Sequence, residues 1–427
     1  MSVTRRRALG EHRTVLSCCF DWRPLLRRVR LVAVVAMITL VGGCAGPSDA
    51  DEVLQQAAAA ASATAAGEAD GAPSTAAEPD PRGSDLLEQP TEPASGPAST
   101  GDQVDAAAPP ASTQSPSAFT IAFAGDVNFA ERTADRLAAD PASAFGVAAE
   151  GLGAADLTVV NLETAITTGG EPEPKSFTFR APPSAFTALR AAGVDVASMA
   201  NNHGADYGAT GLADSMAAIA DSKFPVIGIG ANEGQAMAPY RTTIKGVPVA
   251  IYAVSAVHDH TLASWTATVD TPGIASAFDP RLAENVRAAA AGGATVIVFL
   301  HWGTEYDSCP DADQVQLADE LAAAGATAVI GTHAHVLQGA GWRDDGVYVA
   351  YGLSNYLWWR SFGNEQDDNG VLTLTVDGKA VTTASFAASH LDDTGVPVPA
   401  TGAQLDRIDA QWDEVRGCAD LSALPPR

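Results

Sequence analysis

From Phe119 onward the chain repeats one pattern: a short apolar run, a knot of polar or glycine residues, then an Ala-rich stretch with one polar face. Residues 119–124 lead into Gly125-Asp126-Val127-Asn128, residues 157–160 into Asn161-Leu162-Glu163, and residues 194–200 into Asn201-Asn202-His203-Gly204-Ala205-Asp206. Residues 296–300 lead into His301-Trp302-Gly303-Thr304-Glu305, residues 326–330 into Gly331-Thr332-His333-Ala334-His335, and residues 347–351 into Gly352-Leu353-Ser354-Asn355. The short apolar runs read as strands. Between them, residues 183–192, 211–222, 281–291 and 313–324 set Ala and Leu faces against polar ones at helical spacing. Strand alternating with helix predicts sheets covered by helices. In such folds ligands gather at the carboxyl ends of strands, where these polar knots fall.

The first 117 residues do not share the pattern. Residues 31–41 are apolar apart from Thr39 and follow Arg23, Arg27, Arg28 and Arg30. That length suits the hydrophobic core of a signal peptide and is too short to cross a bilayer as a helix. The run ends in Val41-Gly42-Gly43-Cys44, similar to a bacterial lipoprotein signal in which the cysteine is lipidated; ordinary secretory cleavage beside an incidental cysteine is the alternative. Arg5-Arg6-Arg7 hints at a twin-arginine signal but stands far from the apolar run. Residues 45–117 are dominated by Ala, Pro, Ser, Thr, Gly and acids, with no aromatic residue, a composition that cannot offset the entropy of ordering. The expected organisation is a lipoprotein-type signal at 1–44, a disordered acidic linker at 45–117 and one α/β domain at 118–427. A multiply acylated Cys44 would hold the protein on the outer face of the bacterial cell membrane.

Charge narrows the partners. The chain carries 51 acidic and 25 basic residues, a net charge of −26, and its arginines are concentrated in the signal region. Nucleic-acid binding normally needs a basic face, so this composition excludes it. Five cysteines reduce to Cys309 and Cys418 once the signal region and a lipidated Cys44 are set aside. In an oxidising compartment these two can form a single disulfide, or they remain as two free thiols.

The polar knots carry the residue types of a metal site. Asp126, Glu163, Asn202, His203, His301, His333 and His335 offer hard oxygens and imidazoles, a mixture suited to Mn, Fe or Zn rather than to a thiolate site. One such histidine would be unremarkable; several at equivalent strand ends point to a shared centre. The run His258-Asp259-His260 reaches the same face or lies in a solvated loop.

Taken together, GDVNFAER, NLET, KSFTFRAPP, MANNHGADYG, VFLHWGTEY, GTHAHVLQG and YGLSNYLW, in this order, resemble the poly-γ-glutamate capsule synthesis (CapA-type) family, itself related to calcineurin-like metallophosphoesterases. The resemblance implies a four-layer αββα metallophosphoesterase-like sandwich holding one or two divalent transition-metal ions. Carried over, it makes Asp126 the first aspartate ligand and sets Glu163 in the place of a bridging aspartate. Asn202 becomes a ligand of the second ion and His203 its catalytic neighbour, while His301, His333 and His335 complete the ligand set. Two positions depart from the metallophosphoesterase pattern. Asn128 replaces the histidine of its D-x-H motif and Glu163 is one methylene longer than aspartate, which leaves one ion or two open.

Asp206 is either the acceptor that orients His203 or a turn residue. Lys175 and Arg180 are either anchors for an anionic substrate group or cations flanking a core strand. Glu305 and Trp302 are read either as site residues or as loop and packing residues, and Asn355 as a residue that fixes backbone at the site. Three functions fit: a component of poly-γ-glutamate or related envelope-polymer biosynthesis working beside polymer synthase components, a metal-dependent phosphoester or amide hydrolase of envelope substrates, and a silent polymer-binding module.

Overall fold

The computed structural model describes residue 115 and residues 117–427. The expected signal, the lipidated Cys44 and all of the expected linker except residues 115 and 117 lie outside the described residues. Among the described residues no helix is long and apolar enough to cross a membrane.

Two sheets form the centre of the fold. The first has eight strands, and its continuous path runs Pro397–Pro399, Ala380–Leu391, Asp368–Asp377, Phe119–Val127, Leu157–Leu162, Val196–Ser198 and Val226–Ile227. The last four are parallel to one another, the first three antiparallel, and Asn355–Leu357 pairs in parallel with the end of Phe119–Val127. The second sheet has six strands in the order Ala340–Trp342, Tyr348–Ala350, Ala328–Thr332, Thr295–His301, Val247–Ser255 and Tyr240–Ile244. Its four inner strands are parallel and its two edges antiparallel.

Side chains sort into three apolar layers. Phe119, Ile121 and Phe123 of the first sheet share a core with Ile297, Phe299 and Ile330 of the second. The rings of Phe123 and Phe299 stack at 6.1 Å across that seam. The alternate residues Ala122 and Ala124 face Phe186 and Leu189 of helix Ala185–Ala191 and Leu212 of helix Gly208–Ser222. On the far side, Val296, Val298 and Leu300 meet Leu282 and Val286 of helix Arg281–Ala291 and Leu321 of helix Ala312–Ala324. Helix, sheet, sheet and helix thus stack in sequence, and the inner strands read as unbroken apolar runs because both of their faces are covered.

Local chemistry sets the helix ends. Asp311 and Gln314 form a reciprocal capping box at the start of Ala312–Ala324, and Gly325 closes it with φ 100°. Helix Ala403–Gly417 buries Ile408 and Trp412 against the inter-sheet core, Trp412 stacking on Phe386 at 4.1 Å. Cys418, just beyond that helix, stands in disulfide geometry with Cys309, their Cα atoms 5.8 Å apart across a sequence separation of 109 residues. Closing so long a loop restricts the unfolded chain. Cys418→Ser is therefore expected to cost about 2–4 kcal/mol, read as a lower denaturant midpoint under non-reducing conditions.

Candidate metal centre

The strand ends of both sheets converge on one polar cluster at the seam. Asp126 and Glu163 come from the first sheet, His203 from the turn after Val196–Ser198, and His301, His333 and His335 from the second sheet. A register shift between Ala124 and Asp126 kinks the first strand where its ladder with Leu157–Leu162 breaks, a device that re-aims a side chain. The Asp126 N–H donates to the Ser354 carbonyl at 2.9 Å. His333 and His335 adopt φ 95° and 55°, a backbone region that non-glycine residues avoid, and such strain concentrates at sites where side-chain direction matters.

A buried amide network holds the cluster. Asn161 Nδ2 lies 2.8 Å from Asp126 Oδ1 and 3.1 Å from His301 Nδ1, while Asn201 Nδ2 donates to Asn161 Oδ1 at 2.9 Å. His301 Nε2 faces Asn202 Oδ1 at 2.8 Å and Glu163 Oε1 at 3.4 Å. His335 Nδ1 donates to Asn355 Oδ1 at 2.8 Å, which leaves Nε2 as the lone-pair nitrogen. The His333 N–H donates to Asp126 Oδ2 at 3.2 Å. On the other flank His203 Nδ1 donates to Asp206 Oδ2 at 2.7 Å, and His203 Nε2 lies 3.8 Å from Glu163 Oε1.

The cluster fits a cation. Glu163 Oε1 and Oε2, Asn128 Oδ1 and His333 Nδ1 are buried without a hydrogen-bond partner. Orphaned buried polar atoms are rare and costly, so four of them in one cluster of residues need an explanation. One donor atom each from Glu163, His333 and His335 lies within 4.8 Å of the others. Asn128 spends its amide nitrogen on the Glu163 carbonyl at 2.9 Å, so its oxygen is the atom left over. Oxygens and imidazole nitrogens together suit a borderline divalent ion.

The electrostatics agree. Burial pushes the Asp126 carboxyl up to about 7, and burial followed by the neighbouring Asp126 charge raises Glu163 well above the usual carboxylate range. Burial lowers His203 and His335, the latter to about 4, and sets His301 and His333 well below an ordinary imidazole. Burial thus disfavours charge on the imidazoles and the carboxyls alike, and a proton held by Asp126 must leave for a cation to bind there. Metal affinity is expected to fall as pH drops below about 7. Titration in two buffers of different ionisation enthalpy should show about one proton released per ion near neutrality.

The remaining expected residues fall outside this inner group. Lys175 Nζ pairs with Asp206 Oδ1 at 2.6 Å and donates to the Asn202 carbonyl. Arg180 is exposed, with its guanidinium 4.7 Å from the centre of the Tyr207 ring. Trp302 is buried and donates to the Tyr351 carbonyl at 2.8 Å, while Glu305 is exposed. His258 stacks on Phe278 and His260 pairs with Glu173 at 2.6 Å. Sequence reasoning missed the amide network of Asn161 and Asn201 as a supporting layer, and it missed Arg360, which stands among the aromatic rings around the centre. A cavity of about 760 Å³ lies elsewhere, between helices Arg281–Ala291 and Ala312–Ala324. It is lined by none of the candidate ligands, so the orphaned donor atoms, not open volume, locate the site.

Two stacked sheets whose strand ends bring carboxylates and imidazoles together define an α/β sandwich with a candidate metal centre. The model of the bacterial capsule synthesis protein PGA_cap family matches residues 120–358, more than half of the chain and all of this cluster, and the chain belongs to that family. It is 32% identical over 202 residues to the capsule biosynthesis protein CapA of Bacillus anthracis, covering 44% of this chain and 48% of that protein. The match thus spans about half the length of that relative. It is also 26% identical over 270 residues to the PGA biosynthesis protein CapA of Bacillus subtilis, covering 61% of this chain and 68% of that one. Among solved structures, the NAD nucleotidase of Haemophilus influenzae aligns with a TM-score of 0.37 and 12% identity, over 72% of this chain and 57% of that one.

Proposed function

We propose that the chain is an extracytoplasmic CapA-like component of poly-γ-glutamate, or related capsule and envelope-polymer, biosynthesis, acting through a divalent Mn, Fe or Zn centre in a metallophosphoesterase-like αββα sandwich. Membership in the capsule synthesis family and the similarity to the two CapA biosynthesis proteins support the pathway. The observation that carries the metal reading is the set of orphaned donors brought together from distant strand ends. Asp126, Glu163, His333 and His335 would hold the ion, with Asn128, Asn202 and His301 beside it. Bound there, the ion supplies a Lewis acid that polarises a phosphoryl or acyl oxygen.

The chain's own residues define the proton chemistry. Asp206 Oδ2 accepts from His203 Nδ1 at 2.7 Å and from the Phe179 N–H at 2.5 Å, which fixes the imidazole tautomer and turns Nε2 toward Glu163. Burial lowers the basicity of His203, and with Nδ1 committed to Asp206 its Nε2 is the atom that can take up a proton. This dyad favours a second reading, a metal-dependent phosphoesterase or amide hydrolase of envelope substrates. Lys175, already committed to Asp206, acts in either reading by holding that carboxylate in place.

The proposed location is the outer face of the cell membrane, held by a lipidated Cys44 beside polymer synthase components. The folded region is strongly acidic and repels a bulk polyanion, so polymer contact is confined to the cleft or bridged by cations. A deletion strain scored for surface polymer tests the first reading; unchanged polymer overturns it. Purified protein assayed with phosphodiesters and γ-glutamyl peptides in Mn, Fe and Zn tests the second. His203→Ala is expected to lower any turnover by about 10²–10⁴, and no turnover under any of these metals would leave a polymer-binding module.

A further inference from the structure

An arc of aromatic rings surrounds the outer side of the candidate centre. It begins at His203, where Phe179 packs at 4.5 Å, and continues through Trp359, 5.7 Å from Phe179. It ends at His335, which has Trp358 at 4.9 Å and Tyr306 at 6.0 Å, with Phe362 a further 6.3 Å beyond Tyr306. Phe177 and Tyr306 are about half exposed, at 50% and 45%, so the arc is open to solvent.

Arg360 stands at the middle of this arc. Its guanidinium carbon lies 4.5 Å from the centre of the Phe362 ring, 4.9 Å from Trp359 and 5.6 Å from Phe177. Ring faces attract a cation and fix the plane of a guanidinium without using its N–H groups. Those groups are almost uncommitted. One long contact of 3.5 Å reaches the Tyr306 hydroxyl, and Nε is buried without a partner. Among the described residues Arg360 makes no ion pair, whereas Lys175 is bound to Asp206.

The loop that follows is held in place. Buried Asp367 accepts from the Ser361 hydroxyl at 2.8 Å and from the N–H groups of Phe362 at 2.9 Å and Gly363 at 2.6 Å. The cation is thus presented on a fixed loop rather than on a free surface arm. In a strongly acidic chain, an arginine without an ion pair among the described residues and aimed by three rings is the chemistry of an oxyanion site.

We propose that Arg360 binds the oxyanion of the ligand, a carboxylate or a phosphate ester, and that Trp359, Phe177 and Tyr306 cover the ligand's apolar body while its reacting group lies between His203 and His335. This rests on the reading of the centre given above and adds a binding residue to it. Arg360 presents the planar fork that a carboxylate or phosphate takes in two parallel hydrogen bonds.

Calorimetric titration of the purified protein with a γ-linked glutamate trimer, with the same trimer amidated at every carboxyl, and with inorganic phosphate tests the proposal. R360A is expected to weaken trimer or phosphate binding at least about tenfold, the loss of a charge-assisted hydrogen bond. R360K should fall between R360A and the parent, and the amidated trimer should bind the parent no better than it binds R360A. Dependence on Arg360 for phosphate alone would assign a phosphate ester, and for the trimer a carboxylate. Binding to neither probe, or equal binding by R360A, overturns the proposal, as does loss of bound metal in R360A. Intact metal with binding indifferent to Arg360 would remove this inference and leave the metal centre. Arg360-dependent binding by protein that holds no metal would do the reverse.

Discussion

Replacing His333 and His335 together by alanine is expected to bring bound transition metal from at least about half an equivalent down to background, measured by elemental analysis of protein purified without chelator. The two histidines supply two of the three donors that stand within 4.8 Å of one another. His301 already faces Asn161 and Asn202 with its two nitrogens. Unchanged metal content would sink the assignment of the centre. The milder change Asn355→Ala frees His335 Nδ1 from its 2.8 Å partner, and it should weaken binding by about 10–100-fold without abolishing it. A site held together by orientation loses affinity in this graded way, whereas an adventitious surface ion would not respond to Asn355 at all.

The second large effect is on folding. A Cβ at Gly125 would stand 1.8 Å from the Ser354 carbonyl oxygen, and one at Gly331 would stand 2.0 Å from the Tyr351 carbonyl oxygen and 2.1 Å from Trp302 Nε1. Backbone cannot yield as a flexible side chain can, so either substitution must separate neighbouring strands. Gly125→Ala is expected to cost on the order of 5 kcal/mol, a large share of a domain's stability, and to leave little soluble protein. Gly151→Ala, whose added carbon meets only Val371 and the Tyr356 hydroxyl at 3.6 and 3.9 Å, is the control and should stay within about 1 kcal/mol of the parent. Comparable thermal midpoints for the two variants would show that the strands have more freedom than the packing implies.

Much of this arrangement is legible in the sequence. Alternating apolar runs and Ala-rich stretches from Phe119 onward foretold sheets between helices, because a strand covered on both faces must be apolar along its length. The polar knots foretold a centre because only strand ends release side chains from the two cores. What could not be read was partnership. Lys175 and Arg180 stand out as rare cations, yet one is bound to Asp206 and the other lies against Tyr207. Arg360 carries no such signal: it stands two residues beyond the YGLSNYLW motif and belongs to none of the motifs. Its place in the ring arc depends on Phe177, Tyr306 and Phe362, contributed by three separate loops, and no spacing within one segment encodes such a meeting. Asn161 and Asn201 look like turn residues in sequence; their role emerges when two strand ends bring their amides within 2.9 Å.

The inter-sheet seam is apolar for most of its length and polar only where the strand ends meet, so a buried ion would act as a clasp between sheets whose residues are up to 209 positions apart. An ion that binds only the folded chain makes stability a property of the medium. At a free concentration one hundred times its dissociation constant it adds about 2.7 kcal/mol, and a chelator takes the same amount away. Amide exchange at Ala124–Asp126 and Leu300–Thr332 strand ends should then slow on metal addition while the antiparallel margin Asp368–Leu391 stays unchanged. Wherever metal supply fluctuates, the same clasp would set the lifetime of the protein as well as the competence of its cleft.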